Sequence, residues 1–211
     1  MDEKMHLTAV EKDILKEIGN MCAGNATTAL AQIIGRRIEL ELPEVSVIAV
    51  RELPKFMKVD PEEPIIGIHM HIWGGAKGNA LMVLPKHESF RLVDLLIGPM
   101  SENPSSLTEI GISALKELGN IIVSSYLSAL SAFTGISAFP STVTLTSGAA
   151  RSLVAFAFQG MKNDENDETI LVEARFRETK RDLAGSFFII FDAESIKMIL
   201  GKAKGMIKNG G

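Results

Sequence analysis

The segment LKEIGN at Leu15–Asn20 returns one hundred positions later as LKELGN at Leu115–Asn120. Each copy places Gly beside Asn inside a pattern that is typical of a long amphipathic helix. In a helix interior, Gly costs about 1 kcal/mol relative to Ala, and Asn costs roughly half as much. A chain that accepts this cost twice, at matching places, must gain something in packing or in function.

The similarity between the two halves extends beyond the motif and indicates a duplicated chain. Residues 13–35 align with 113–135 without a gap and share eight of 23 positions. A second match joins GNALMVLPKHESFRLVDLLIG at 78–98 to GSFFIIFDAESIKMILG at 185–201. In both, an apolar run of strand length leads into an amphipathic pattern of helix length.

The order of these patterns predicts an α/β (α+β) fold in which a sheet packs with two long motif helices. Each half reads as a long helix, several strands and a closing helix, with repeat one at about 8–98 and repeat two at about 108–208. Halves of about 100 residues are short of a self-sufficient core, so we expect one domain over 1–211 with pseudo-twofold symmetry. The expected strands, rich in Val, Ile and Thr or alternating in polarity, lie at 45–51, 64–73, 141–147 and 169–177.

Turn-forming residues between these patterns predict where the loops lie. Gly74 and Gly75 fall between two expected strands and predict a hairpin turn. Loops are expected at Pro99–Ser106 and at the acidic stretch 163–168. The segment 149–160 fits a helix or a strand.

The composition is that of an ordinary globular protein, with 46% hydrophobic and 23% charged residues. A formal charge of −4 without a basic cluster argues against a nucleic-acid-binding surface. The one cysteine, Cys22, excludes an internal disulfide and suits a reducing compartment. A polar amino terminus and the lack of an apolar run of about 18 residues argue against a signal peptide and a membrane span. We therefore expect a cytoplasmic protein that binds no nucleic acid and does not insert into a membrane.

The motif is predicted to lie inside each helix rather than at its end. Apolar residues continue at helical spacing over 15–33 and again over 115–133. Gly35 and Gly135 follow, and Gly favours the left-handed conformation that ends many helices. Thr8, with Glu three positions later, has the spacing of a capping box at the first helix start.

Glutamate and asparagine share one polar face of each helix. The set in the first copy is Asp13, Glu17, Asn20 and Gly24, and the second copy repeats it with Ser113, Glu117, Asn120 and Ser124. Helix residues three apart lie about 5–6 Å from each other at Cβ, so Glu and Asn are close enough to address one ligand. A single exposed Glu is usually only solvated. Its recurrence with Asn in both halves favours function, although the Gly alone can be explained by packing.

On these residues the chain resembles the CheC/CheX/FliY family of chemotaxis phosphatases. The family motif is Asp or Ser, three residues, Glu, two residues, Asn, then 22 residues and Pro. The first copy matches with Asp13, Glu17, Asn20 and Pro43; the second matches with Ser113, Glu117 and Asn120 but has Val143 where Pro is expected. The resemblance covers about residues 8–205, and two Glu-Asn motifs make the chain most similar to the CheC branch.

The resemblance implies hydrolysis of the aspartyl phosphate of a CheY-type response regulator. Asn20 and Asn120 would position the attacking water, because a carboxamide both donates and accepts hydrogen bonds without titrating. Glu17 and Glu117 would pair with a lysine of the regulator.

The same resemblance assigns supporting roles and partners. Asp13 and Ser113 support the two sites, and Pro43 is expected to fix the entry into the strand after the helix. This chain would bind no metal or other cofactor, since the regulator carries its own Mg²⁺. CheD, a receptor glutamine deamidase that binds the CheC branch, would be the second partner.

Two other functions remain open. A non-catalytic adaptor would dock on a response regulator or on CheD, with the glutamates as anchors and the asparagines incidental. A small-molecule hydrolase would use Glu17 and Glu117 as paired carboxylates, which requires both to face one cleft. The pseudo-twofold arrangement suggests instead that the two helices lie apart on the surface.

Other candidate residues have simpler interpretations. His69 and His71 alternate with apolar residues and share one strand face. Such a pair can bind zinc, but without an evident third ligand a half-exposed strand face is the better interpretation. Cys22 lies on the apolar stripe of the first helix, which indicates a core position rather than a nucleophile.

Overall fold

The computed structural model describes residues 7–35, 39–49, 52–56, 60–98, 106–152, 168–178 and 183–209. Within these ranges the helices are α1 (Ala9–Ile34), α2 (Leu53–Phe56), α3 (Lys86–Ile97), α4 (Glu109–Thr134) and α5 (Ala193–Asn209). The strands are β1 (Glu39–Ala49), β2 (Pro64–Gly74), β3 (Gly78–Pro85), β4 (Ala138–Pro140), β5 (Thr144–Ala149), β6 (Glu168–Glu178) and β7 (Leu183–Phe191). The predicted class, a mixed helix-and-sheet single domain, is confirmed.

The seven strands form one sheet in which every neighbouring pair is antiparallel. The order is β1-β6-β7-β3-β2, and β4 and β5 both pair with β2. With β5 as the outer strand, this order reads the same when the two halves of the chain are exchanged. Each half therefore contributes one strand to the hairpin of the other half. The duplication itself stays a prediction.

The sheet separates two apolar clusters. The main core lies between one face of the sheet and the helices α1, α3, α4 and α5. Side chains alternate along β2, so that Ile66, Ile68 and Met70 join this core whereas Ile65 joins a smaller cluster on the opposite face. Phe56 of α2 packs against that smaller cluster. Among the described residues, the apolar cluster on this second face is thus much smaller than the main core.

Both motif helices have 26 residues and pass through the motif, as predicted. Gly35 and Gly135 end them in the left-handed conformation, with φ of 65° and 70°. Thr8 and Thr108 cap them, each accepting a hydrogen bond from the backbone N–H three residues later. The capping box predicted at Thr8 is confirmed. These local signals set the length of the helices before any tertiary contact is considered.

Several strand limits differ from the prediction for reasons of pairing. β2 and its turn at Gly74–Gly75 are as expected. β1 begins at 39 rather than 45, because Glu39–Glu41 also pair with β6 ahead of the pairing at Glu44–Ala49. β5 begins at 144 rather than 141, since Ser141 exchanges hydrogen bonds with the backbone of His71 and bends the chain between β4 and β5. The loops expected at Pro99–Ser106 and 163–168 lie almost entirely outside the described residues. Of the ambiguous segment 149–160, the described part ends β5 and turns helical at 150–152.

Glu11 joins the start of α1 to α5. Its Oε2 accepts hydrogen bonds from the Thr8 backbone N–H at 2.8 Å and from the Thr8 hydroxyl at 2.9 Å. Its Oε1 accepts one from Lys204 Nζ at 2.7 Å. The Lys204 bond and then the Thr8 bonds lower the pKa of Glu11 from 4.5 to about 2.

We expect the Glu11→Gln variant to be less stable than the wild type at pH 7, and we expect most of this difference to be lost by pH 2. A carboxyl with a lowered folded-state pKa stabilises the fold above its unfolded pKa, here 4.5, and this contribution is lost as the pH falls towards 2. Thermal unfolding of both proteins across this range measures the difference. Lys204→Met removes the main cause of the lowered pKa of Glu11. In that background we expect the pH range over which Glu11 loses its stabilising contribution to be narrower, because its folded-state pKa lies closer to 4.5. A difference in Tm that stays constant down to pH 2 would contradict this role of Glu11.

Candidate functional site

The two motifs lie on neighbouring helices, α1 and α4, which cover the same face of the sheet. Within each motif the Gly is buried and the Glu is exposed, so Gly19 and Gly119 face the core while Glu17 and Glu117 face solvent. The expectation that the helices lie apart is wrong, since α1 and α4 pack against each other. They meet because one sheet face carries both, and their buried residues belong to one apolar cluster.

Gly119 is required by the close approach of α4 to the sheet. A Cβ at this position would lie 2.6 Å from Ile68 Cγ2, and Ile68 is fully buried in β2. Real side chains do not approach so closely, so any larger residue would push the helix away from the strand. The packing interpretation of this Gly is therefore confirmed for the second motif. Asn120 follows directly and lies half-buried at the boundary between core and solvent.

The side-chain oxygen of Asn20 is a buried hydrogen-bond acceptor to which no donor is bound. The side chain is half-buried, and its Oδ1 is inaccessible and has no hydrogen-bond partner. Across the described residues, only two other buried side-chain polar atoms share this state, Asn79 Nδ2 and Glu88 Oε2. An unsatisfied buried polar group costs about 1–3 kcal/mol, and such groups recur where function needs them. The Asn20 amide is therefore not committed to any hydrogen bond of its own helix through this oxygen.

The two motif glutamates are free to meet a partner. Among the described residues neither Glu17 nor Glu117 forms an ion pair, whereas Glu11, less than two turns before Glu17, is held by Thr8 and Lys204. Both motif glutamates are exposed. Carboxylates that act as a general acid in hydrolases are instead held in apolar surroundings that raise the pKa. The exposure therefore suits an anchor for a cation better than a paired-carboxylate catalyst.

The surface around the first motif is open. A Cβ built on Gly24 would meet nothing within 4 Å. The neighbouring polar side chains are turned to their own helix: Asn25 Nδ2 donates to the Met21 carbonyl at 3.0 Å, and two threonine hydroxyls donate to carbonyls four residues back. Within the described part of the chain, Glu17 and Asn20, by contrast, make no side-chain hydrogen bond to their own helix.

The supporting residues are distributed unequally. Asp13 and Ser113 are exposed one turn before Glu17 and Glu117, which leaves them on the same helix face. The expectation that Pro43 lies at the entry of the strand is wrong. It is the fifth residue of β1 and lies where the pairing with β6 shifts register, between Glu41 and Glu44. Pro cannot donate to a ladder, and an interruption on an edge strand accommodates it.

Cys22 belongs to the core, as its position in the pattern predicts. Its side chain is fully buried, and this burial raises the pKa of the thiol to about 12. A thiol of such high pKa carries almost no thiolate near neutral pH, which is the form that acts as a nucleophile.

Sequence reasoning missed the polar cluster around Asn79. The side-chain Oδ1 of this buried residue lies 3.0 Å from His69 Nε2 and 2.7 Å from His71 Nδ1. His69 is buried rather than half-exposed, so the expectation for it is wrong, because Asn79 gives its ring a polar partner inside the sheet. The signal was present in GNALMVLP, where Asn is the one polar side chain of the run. In the described part of the chain, no group of three or more His, Cys, Asp or Glu side chains is placed to hold a metal ion.

The sequence matches the model of the CheC-like family over residues 10–47 and 110–137, the two segments that contain the motifs. The CheY-P phosphatase CheC of Bacillus subtilis is 33% identical over 133 residues, which cover 62% of this chain and 63% of that protein. The flagellar motor switch phosphatase FliY of the same organism is 29% identical over 59% of this chain and 32% of its own length. The chain thus matches less than two thirds of the length of either relative.

The fold has a close counterpart among solved structures. FliY of Thermotoga maritima superposes with a TM-score of 0.76 at 24% identity, covering 95% of this chain and 99% of that one. At this identity the likeness speaks for the fold alone. In the helices described, no segment is both long and apolar enough to cross a membrane.

Proposed function

We propose that this chain is a member of the CheC/CheX/FliY family, to which both motif segments and the fold are similar, and that it hydrolyses the aspartyl phosphate of a CheY-type response regulator. The observation that carries the proposal is the pairing of an unengaged, exposed Glu with a half-buried Asn on each of two helices. Such a pair supplies an anchor and a group that orients water. It supplies no nucleophile, and the reaction requires none from this chain.

The chemistry needs little beyond a positioned water. Hydrolysis forms a bond from the water oxygen to phosphorus and breaks the bond from phosphorus to the aspartyl oxygen. The leaving group is a carboxylate with an ordinary pKa near 4, so it departs without a proton from a general acid. Mg²⁺ held by the regulator would offset the charge on the phosphoryl oxygens. We propose no metal or cofactor for this chain.

Asn20 and Asn120 are the proposed water-positioning residues. An amide can accept from the water through Oδ1 or donate to it through Nδ2, and it stays neutral throughout. The half-buried side chain of Asn20 supports this role, because its Oδ1 makes no hydrogen bond within the described protein and the amide is not committed to the helix. Orientation of this kind accounts for a large share of catalysis in phosphoryl transfer.

Glu17 and Glu117 are the proposed anchors. Each lies one turn before its Asn on the same face, so a lysine beside the phosphorylated Asp would bring the phosphorus under the Asn. Asp13 and Ser113 flank the anchors, and Pro43 supports the first site only through β1. CheD is proposed as a second partner, and the cytoplasm as the location.

The alternative function is a non-catalytic adaptor that docks on the regulator or on CheD. It needs the glutamates but not the asparagines. The half-buried position of Asn20 with an unsatisfied atom favours catalysis, because an adaptor gains nothing from that cost.

The test is the decay of a radiolabelled phospho-receiver with and without this protein. The variants are Glu17→Ala/Asn20→Ala, Glu117→Ala/Asn120→Ala and the combination of all four changes. We expect wild type to accelerate decay, each double variant to retain part of the effect, and the combined variant to retain none. A folded wild type that leaves the decay rate unchanged, with or without CheD, would overturn the phosphatase and leave the adaptor.

A further inference from the structure

Two exposed apolar residues extend the motif faces. Among the large apolar side chains of the described residues, Val10 and Ile110 are the most exposed, at 65% and 61%. They occupy matching places, since each is the second residue of its motif helix. Single exposed apolar residues are common on protein surfaces. The same exposure at the same place in both halves calls for an explanation.

Helix anchoring does not explain these two residues. Leu7 and Leu107, which precede the capping threonines, already pack against the main core and hold the helix starts in place. Val10 and Ile110 point away from that core and belong to neither apolar cluster. Among the described residues, no apolar cluster buries either side chain.

Helix geometry aligns each of them with its motif. Val10 precedes Glu17 by seven residues, which is nearly two turns, so the two side chains leave the helix within about 20° of each other. Along the axis they are about 10 Å apart. Ile110 and Glu117 repeat this spacing. Each helix therefore presents an apolar group, an acidic group and an amide on one side, within about 80° around the axis.

We propose that Val10 and Ile110 are contact residues for the response regulator, and this proposal rests on the proposed function. Each would bury its side chain against an apolar patch of the receiver that lies about 10 Å from the lysine that meets Glu17 or Glu117. The faces carry acidic side chains, Asp13 and Glu17 on α1 and Glu109 and Glu117 on α4, which complements a basic receiver surface. The apolar contact selects receivers that have both features at this spacing.

The contact is the same before and during the chemical step, so it should affect KM rather than kcat. Val10→Ser is tested in the Glu117→Ala/Asn120→Ala protein, and Ile110→Ser in the Glu17→Ala/Asn20→Ala protein, so that each site is measured alone. We expect KM for the phospho-receiver to rise about tenfold in each case, the change expected for losing one buried aliphatic side chain. We expect kcat to stay within about twofold. Where turnover at one site is too slow for a KM to be measured, titration with a beryllofluoride-loaded receiver measures the same loss of affinity as a rise in Kd.

Ile33→Ser is the matched control, because Ile33 is also an exposed apolar residue of α1 but lies about 140° around the helix from Val10. It is expected to leave KM and kcat unchanged. An unchanged KM and unchanged affinity in Val10→Ser and Ile110→Ser would overturn this inference and leave the phosphatase intact. A lowered kcat with unchanged KM would overturn it as well. A wild type that neither dephosphorylates nor binds the receiver would overturn the proposed function, and this inference with it.

Discussion

Replacing Asn20 and Asn120 together with alanine is expected to lower the rate of receiver dephosphorylation about 100-fold, a cost typical of a lost positioning group. Affinity for the receiver should change less than about threefold, because the anchoring glutamates remain. The physical reason is that alanine leaves no group to hold water in line with phosphorus. The exposed ends of both helices are otherwise unaltered, so the docking surface is retained.

The measurement compares single-turnover decay of the phospho-receiver with the affinity for a beryllofluoride-loaded receiver. Asn25→Ala is the matched control, because Asn25 lies on α1 but its Nδ2 is bound to the Met21 carbonyl. It should leave both quantities unchanged. Equal losses of rate and affinity in the Asn20→Ala/Asn120→Ala protein would contradict a water-positioning role and would show that the asparagines act in binding the receiver. No loss of rate would remove them from the chemistry.

Gly119→Ala is expected to destabilise the protein by about 1–3 kcal/mol, the usual cost of adding a methyl group to a packed interface. The added Cβ would lie 2.6 Å from Ile68 Cγ2. Ile68 is fully buried and branched at Cβ, so it has no free rotamer to retreat into. Either α4 or β2 must move, and this overcomes the helix propensity that Ala gains over Gly.

Gly24→Ala is the matched control for this effect, since Gly24 also lies inside a motif helix but has open space where its Cβ would be. It is expected to stabilise by about 0.5–1 kcal/mol through propensity and the unfolded state. Urea unfolding of the two variants and the wild type measures both changes. Opposite signs are the expected result, and stabilisation by both substitutions would show that α4 does not depend on a close approach at Gly119.

Both long helices could be predicted from sequence because their signals are local. Thr8 and Gly35 mark the ends of α1, and apolar spacing fixes the face that turns to the core. The same periodicity put Glu17 and Asn20 on one face without any tertiary information. The low helix propensity of Gly119 indicated a close packing contact at this position. It did not identify Ile68 as the neighbour, because that depends on the position of β2 in the sheet.

Strand order and the polar interior of the sheet could not be predicted from sequence. Pairing is decided by distant partners, so a local pattern identified β1 and β6 but not the fact that they are neighbours. The cluster of His69, His71 and Asn79 joins two strands of one hairpin and becomes visible only when their register is known. Likewise, Val10 is an ordinary apolar residue in sequence, and its exposure appears only once the core is formed.

The exchange of strands between halves has a consequence for synthesis on the ribosome. Leu81 in the centre of the sheet pairs with Phe188, and Val47 at the edge pairs with Ile170, in both cases more than one hundred positions later. A nascent chain that has released only its first half therefore carries a β2–β3 hairpin with both edges unpaired. Contacts of such long range slow folding and expose edges that favour aggregation. The central strands of the sheet are paired on both sides only when β6 and β7 have emerged. A chain cut short before them is therefore expected to be a substrate for chaperones and proteases rather than a smaller folded domain.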